Sequence, residues 1–250
     1  MRIILFLFAI TPFLWKKPIV KDDFVDKCLL PTCTIVNKKS QTTGTGFVIK
    51  SKKIDENNYS NVMISCEHVV ANRLHVAIHE YSDVYFYSGH NIVPAICVAK
   101  SKEHDISILM FNSTKEIKTA KISFAKDLKL KQKVSTFGCG LGDTPRFSEG
   151  QITELAPSKN NLQSIRTSVC MVPGDSGGAL FNEQNEVIGI ANSIKVIGQN
   201  TPVTNISTFK SIQLLEKLYK NQKYDFVFNE SKMPSFLFEY LWLNDSEIGY

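Results

Sequence analysis

Residues 172–180 read Val-Pro-Gly-Asp-Ser-Gly-Gly-Ala-Leu, and the demands of this stretch organise the rest of the chain. Glycines around Ser176 allow the backbone to turn sharply and bring amide hydrogens close to a reacting carbonyl, an approach that a Cβ would obstruct. Gly174 and Ser176 can then aim two N–H groups at an oxygen on which negative charge develops. A serine hydroxyl is a poor nucleophile at neutral pH, so Ser176 needs a base beside it. Five histidines are available: His68, His75, His79, His90 and His104.

His68 closes the apolar run Val-Met-Ile-Ser-Cys-Glu-His-Val-Val at 62–70, where a buried strand emerges and can hold a base on a rigid element. His75 and His79 sit four apart on an alternating strand, on the face opposite Leu74, Val76 and Ile78, and are expected to face solvent. His90 falls in a Gly-His-Asn turn. His104 adjoins Asp105 in Glu-His-Asp-Ile-Ser-Ile-Leu-Met at 103–110, where the acid opens a strongly apolar strand. A carboxylate placed there is costly to bury without a partner, and an imidazole N–H supplies one. Asp55 and Asp83 lie in polar turns and need no such partner. The three candidates therefore follow one another as His68, Asp105 and Ser176.

Outward from these residues the texture is β-type. Short runs at 34–36, 46–50, 61–65, 74–78, 84–87, 93–98 and 106–110 are separated by clusters of Gly, Asn, Asp and Ser, and a second series follows at 134–137, 147–153, 165–169, 178–181, 187–192 and 203–206. Two sets of about six strands predict an all-β chain of two antiparallel barrels or sandwiches, the first at about 30–112 and the second at about 130–207. The lysine-rich residues 115–133 read as a solvated connection between them. One amphipathic α-helix is expected at about 208–222, with Ser207 as N-cap and Phe209, Ile212, Leu215 and Leu218 on one stripe. The aromatic-rich tail, 223–250, is expected to pack onto the domain, the alternative being a partner-binding segment.

Six collinear segments now resemble one family. Thr-Gly-Thr-Gly-Phe-Val-Ile at 43–49, Ser-Cys-Glu-His-Val-Val at 65–70, His-Asp-Ile-Ser-Ile-Leu at 104–109, Phe-Gly-Cys-Gly-Leu-Gly at 137–142, Ser-Glu-Gly-Gln-Ile at 148–152 and the serine stretch at 172–180 are similar to those of trypsin-like serine peptidases of the chymotrypsin fold. The similarity is greatest to the HtrA (Deg) branch and covers about residues 30–220. It implies two six-stranded barrels and the chymotrypsin order of histidine, aspartate and serine. Ser176 would be the nucleophile, His68 the general base and then acid, and Asp105 the group that orients His68. Gly174 and Ser176 would form the oxyanion hole. The resemblance implies an acyl-enzyme route with no metal or cofactor, and polypeptide substrates.

The family's spacing would put Cys170 at the base of the primary specificity pocket and Ile190, Ala191 and Asn192 along its wall. None is acidic, so cleavage after Lys or Arg is disfavoured and small or medium apolar residues are expected before the scissile bond. A dedicated processing protease of viral or phage type, and a non-catalytic protein-binding barrel, are the alternatives. Pro18 before Ile19-Val20, and Lys21-Asp22 after it, argue against activation by a freed amino terminus. Glu67, directly before His68, is expected to raise the histidine pKa. Residues 222–250 are too few for the PDZ domain that usually follows in HtrA enzymes.

Composition sets wider bounds. With 43% hydrophobic residues among 250, wholesale disorder is excluded, and a net charge of +5 is too small to imply nucleic acid as a partner. Residues 3–15 are apolar apart from Thr11 and Pro12, fewer than the roughly 20 needed to span a bilayer, and are flanked by Arg2, Lys16 and Lys17. Residues 1–27 are therefore read as a secretory signal or membrane-associated segment, which makes the chain secreted or extracytoplasmic; the alternative is a cytoplasmic chain with an apolar N-terminal segment. Six cysteines without a CxxC pair suggest neither a disulfide scaffold nor a zinc site, although Cys28 and Cys33 are close enough in sequence to close a small loop.

Overall fold

The computed structural model describes residues 22–37, 42–70, 74–81, 87–142, 144–158, 161–197 and 201–215. Residues 1–21 of the expected 1–27 segment, the tail at 223–250 and most of the run at 84–87 lie outside them, whereas 22–27 are described. The first barrel is built from β1 (Thr32–Asn37), β2 (Thr42–Lys53), β3 (Tyr59–Ser65), β4 (Leu74–Tyr81), β5 (Tyr87–Ser101) and β6 (Ile106–Ser113). Its strands close in the order β1-β2-β3-β6-β5-β4, all neighbours antiparallel. Closure leaves no open edge, so backbone groups find partners all round.

The second barrel contains β8 (Lys133–Gly138), β9 (Arg146–Ser158), β10 (Asn161–Thr167), β11 (Ala179–Phe181), β12 (Glu186–Ile197) and β13 (Thr201–Ser211). The order β11-β8-β9-β10-β13-β12 is closed by pairing of β11 with β12. A short β7 (Lys121–Ile122) adds to β12 in parallel. The lysine-rich stretch is thus more than a solvated connection. Ile117 and Ala120 are buried in the first core, and the Ala120 amide donates to Val48 O at 2.8 Å.

Strand β6 shows why its sequence lacks alternation. It pairs with β3 and β5, and Ile106 to Phe111 are buried on both faces, so apolar residues occupy nearly every position. Phe47, Phe111, Ile108 and Met110 belong to the first core, and Ile152, Ile165, Leu180 and Phe209 to the second. The residues just before β1 fold as well. Val25 and Cys28 are buried, and the Phe24 ring lies 5.5 Å from those of Phe137 and Phe147.

The expected helix begins later than its apolar spacing suggested. Ser207–Ser211 belong to β13, which pairs with β10 on one side and β12 on the other. These ladders take up the backbone hydrogen bonds, and Ser207 Oγ donates to Val169 O at 2.7 Å. Helical backbone starts only at 213–215, while 216–222 lie outside the described residues. Phe209, Ile212 and Leu215 are all buried, so the three-residue spacing marked burial correctly but straddled two kinds of structure.

The two barrels meet on the outer face of β1. Cys33 and Ile35 face the first core, whereas Thr34 Oγ1 lies 2.7 Å from His79 Nε2, and Cys139 Sγ is 3.9 Å from the same nitrogen. His79 is therefore not solvent-facing. Burial drives its pKa down to about 4 and keeps the ring neutral.

Candidate active site

Strand β3 ends at Ser65, and a single 3-10 turn, Glu67–Val69, carries His68 out of the first barrel. Asp105 stands before β6 in the left-handed region at φ 53°, a conformation that aspartate tolerates better than most residues. From there its carboxylate grips His68 at two points. Oδ1 accepts the His68 amide at 2.9 Å, and Oδ2 lies 2.7 Å from ring Nδ1. The hydrogen bond to Asp105 holds the His68 pKa above its ordinary 6.5, outweighing partial burial, and Glu67 adds a smaller push in the same direction. Burial alone would raise Asp105, but the hydrogen bonds from His68 and Asn192 win and hold it below 3.8.

The serine turn is held by both barrels. The Thr45 amide donates to Ser176 O at 2.8 Å, and Thr45 Oγ1 donates to Gly174 O at 2.7 Å while accepting the Cys139 amide at 2.8 Å. From the other side, the Gly177 amide donates to Ala191 O at 2.8 Å and the Ala191 amide to Gly178 O at 2.7 Å. Gly174 and Gly177 adopt φ of +98° and +91°, and a Cβ on Gly177 would come within 2.1 Å of Thr45 O. No larger residue fits that turn. The amides of Asp175, Gly177 and Gly178 are each taken by a backbone carbonyl; among the described residues, those of Gly174 and Ser176 are outside this network.

Asn192 joins the two halves. Its side-chain amide donates to Asp105 Oδ2, and its carbonyl accepts the Ser176 hydroxyl at 3.4 Å. Cys66 lies beneath them, fully buried, its thiol donating to Ala191 O at 3.0 Å. Under Ser176, Asp175 is 2% exposed, and its Oδ2 meets Arg146 Nη2 at 2.9 Å and the Val172 amide at 2.8 Å. Burial still pushes the Asp175 carboxyl up, because these partners offset only part of the desolvation.

His68, Asp105 and Ser176 are thus brought to one place where the barrels meet. The expected pocket wall needs correction. Ile190 and Ala191 are 0% and 1% exposed, their side chains lying in the two cores, so neither presents a surface to a substrate. They contribute backbone. Asn192 is turned to Asp105 rather than along a wall, and Cys170 is half-buried with its amide donating to Ser148 Oγ at 3.1 Å. A cavity of about 660 Å³ lined by Ile78, Tyr81, Ile92, Val93 and Ile117 lies on the first barrel, and none of the three triad candidates lines it.

Cys28, Cys33 and the other four cysteines are free thiols, so the small loop is not closed by a disulfide. Nothing local in the sequence marks the long-range partners of Thr45, Arg146 and Cys66. The glycines flanking Thr45 hint at a close approach there.

The model of the family described as "Trypsin-like peptidase domain" matches residues 44–190. The chain belongs to this family. Trypsin-like peptidases similar to it include the probable periplasmic serine endoprotease DegP-like of Pseudomonas fluorescens, 24% identical over 160 residues, which cover 63% of this chain and 30% of that protein. The protein of the same description from Buchnera aphidicola is 29% identical over 170 residues, with 65% and 33% covered. The chain spans about a third of the length of these curated relatives. The serine endoprotease from Yersinia pestis matches with a TM-score of 0.59 and 19% identity, over 79% of this chain and 64% of that one. The HtrA-type protease AlgW with tripeptide matches at 0.62 and 16%, over 80% and 62%. Both have the two-barrel fold of this trypsin-like peptidase.

Proposed function

We propose that this chain is a serine endopeptidase in which Ser176 attacks the scissile carbonyl, His68 moves the proton and Asp105 fixes the imidazole. The two-point contact between Asp105 and His68, beside a serine held on a glycine turn, carries the reading. With Nδ1–H directed at the carboxylate, Nε2 is the nitrogen left to accept the Ser176 proton and later to hand it to the leaving amine. For that transfer the hydroxyl must leave Asn192 O and turn to Nε2, and catalytic hydrogen bonds of this kind often tighten only in the substrate complex. Gly174 and Ser176 amides supply the oxyanion hole, a role that suits N–H groups left out of the backbone network. The acyl-enzyme formed on Ser176 is then hydrolysed by water.

Polypeptides are the substrates, cut after small or medium apolar residues, with Cys170 near the pocket base. The relatives are named periplasmic, and the apolar leader suits an extracytoplasmic location for this chain too. A fluorophosphonate probe should label Ser176, and Ser176→Ala should lose both label and turnover, the latter by about a million-fold. A folded chain that takes no label defeats the proposal. A peptide library reads the pocket separately: Cys170→Asp should turn preference toward Lys and Arg, and an unchanged profile removes Cys170 from the pocket.

A further inference from the structure

The Sγ of Cys66, an imidazole nitrogen of His68 and a carboxylate oxygen of Asp105 all lie within 4.8 Å of one another. Only the contact of His68 with Asp105 is required by the proposed chemistry. The thiol is an additional donor, fixed on the rigid backbone between β3 and the 3-10 turn, buried, and donating to Ala191 O at 3.0 Å. We propose that Cys66, His68 Nδ1 and Asp105 Oδ2 form a binding site for a thiophilic divalent cation, zinc by preference, and that the bound ion switches the peptidase off.

The donor set and its spacing both favour zinc. Sulfur, imidazole nitrogen and carboxylate oxygen bind this ion at about 2.3, 2.0 and 2.1 Å, so tetrahedral ligands stand about 3.3–3.7 Å apart. Small adjustments within the 4.8 Å cluster reach that spacing. Hard cations such as magnesium and calcium avoid thiolate ligands. A thiolate and a carboxylate together neutralise the ion, which removes much of the cost of holding it beside a buried wall. The His68 side chain is 46% exposed, so the fourth position opens to the cleft and takes water.

Inhibition follows from the tautomer, and this half of the inference rests on the proposed role of His68. Zinc occupies Nδ1, so the ring's single proton moves to Nε2, where it blocks acceptance of the Ser176 proton. As the Zn–S bond forms, the Cys66 thiol gives up its hydrogen bond to Ala191 O and releases its proton to solvent. Asp105 Oδ2 exchanges its contact with Nδ1 for the metal, while Oδ1 keeps the His68 amide.

Cobalt(II) is the probe, since a thiolate-to-cobalt charge-transfer band reports the sulfur ligand whether or not the chain cuts peptides. Titration into the folded chain should raise this band and, over the same concentrations, abolish hydrolysis and fluorophosphonate labelling; zinc should displace the cobalt. Cys66→Ser and Cys66→Ala should keep hydrolysis, lose the band and weaken inhibition by at least about tenfold, the size of loss seen even when outer-sphere partners are removed. Cys97→Ser should leave both effects intact. Absence of the band, or a band undiminished in both Cys66 variants, overturns the site. If neither variant folds, His68→Ala takes their place and must weaken the band. A Cys66-dependent band with undiminished hydrolysis overturns the inhibition alone, whereas a band in a chain that never cleaves leaves the site standing and defeats the peptidase reading.

Discussion

Arg146 Nη2 lies 2.9 Å from Asp175 Oδ2, placing the guanidinium of β9 on a carboxylate directly beneath Ser176. The carboxylate is 3% exposed and the arginine 43%, so the pair closes the base of the serine turn from its solvent side. Gly138 and Gly140 let the other oxygen in, since a Cβ on either would stand 2.3 or 2.9 Å from Oδ1. Arg146→Met leaves a buried charge unpaired. The full loss for such a pair is about 3–5 kcal/mol, and half-exposure of the arginine reduces it to about 2–3. Activity should fall about 100-fold if the loss falls on the reactive geometry, with Arg146→Lys recovering part.

The same variant has a pH signature. Burial already raises the Asp175 carboxyl above 3.8, and removing Arg146 raises it further. A raised acid loses stability as pH climbs from the unfolded to the folded pKa. The stability gap between wild type and Arg146→Met should therefore be small near pH 4 and wider near pH 7. Urea unfolding at the two pH values measures it, and equal gaps would remove the carboxylate from the explanation.

The sequence allowed the triad candidates and the two-barrel plan to be read because each leaves a local mark: glycines about Ser176, an acid opening the apolar run of β6, a histidine where β3 emerges. Burial spacing was equally legible around Phe209, but it could not separate the end of β13 from the start of the helix. The partners of Arg146 and Thr45 were hidden for a different reason. Their contacts span 29 and 129 residues, and no periodicity encodes such a distance. A compositional hint existed. Arg146 is one of four arginines among 29 basic residues, and both described arginines, Arg146 and Arg166, hold carboxylates, where a fork-shaped donor is favoured over lysine. The pocket wall misled because a residue can shape a site through its backbone, as Ala191 does, while its side chain belongs to the core.

The dyad fixes the acidic limb of the pH profile. Protonated His68 cannot serve as base, and its hydrogen bond to Asp105 holds its pKa above 6.5, so kcat/KM should rise with pH through a value above 6.5. Asp105→Asn should move this limb down and lower kcat by about 10⁴. Stability follows the same linkage. The raised imidazole contributes fully below 6.5 and loses its share as pH rises through the folded value, whereas the depressed carboxyl contributes above 3.8 and loses it on acidification. The dyad therefore stabilises most between 3.8 and 6.5, and Asp105→Asn should cost most in that window.

Glu67 should matter less than its position beside His68 suggests. Its carboxylate pairs with Lys100 Nζ at 3.2 Å, which neutralises much of its field, and it ranks behind Asp105 in raising the imidazole. Glu67→Gln should lower the acidic limb by a smaller amount than Asp105→Asn, and Lys100→Met should raise it. A Glu67→Gln shift as large as that of Asp105→Asn would reverse this ranking.

Thr45 offers the sharpest separation of structure from chemistry. Its hydroxyl donates to Gly174 O and accepts the Cys139 amide, and its own amide holds Ser176 O, so one residue of β2 spans both sides of the reactive turn. Thr45→Val keeps the shape and the backbone contact but orphans a buried carbonyl and a buried amide, at about 1–3 kcal/mol each. Thr45→Ser keeps the hydroxyl and gives up only a methyl group, costing about 1 kcal/mol. If the hydroxyl positions Gly174, the valine variant should lose kcat with KM little changed, measured on folded protein below its melting range, and the serine variant should regain it. Equal kcat in both variants, with only the melting temperature lowered in valine, would reduce Thr45 to a staple between the barrels.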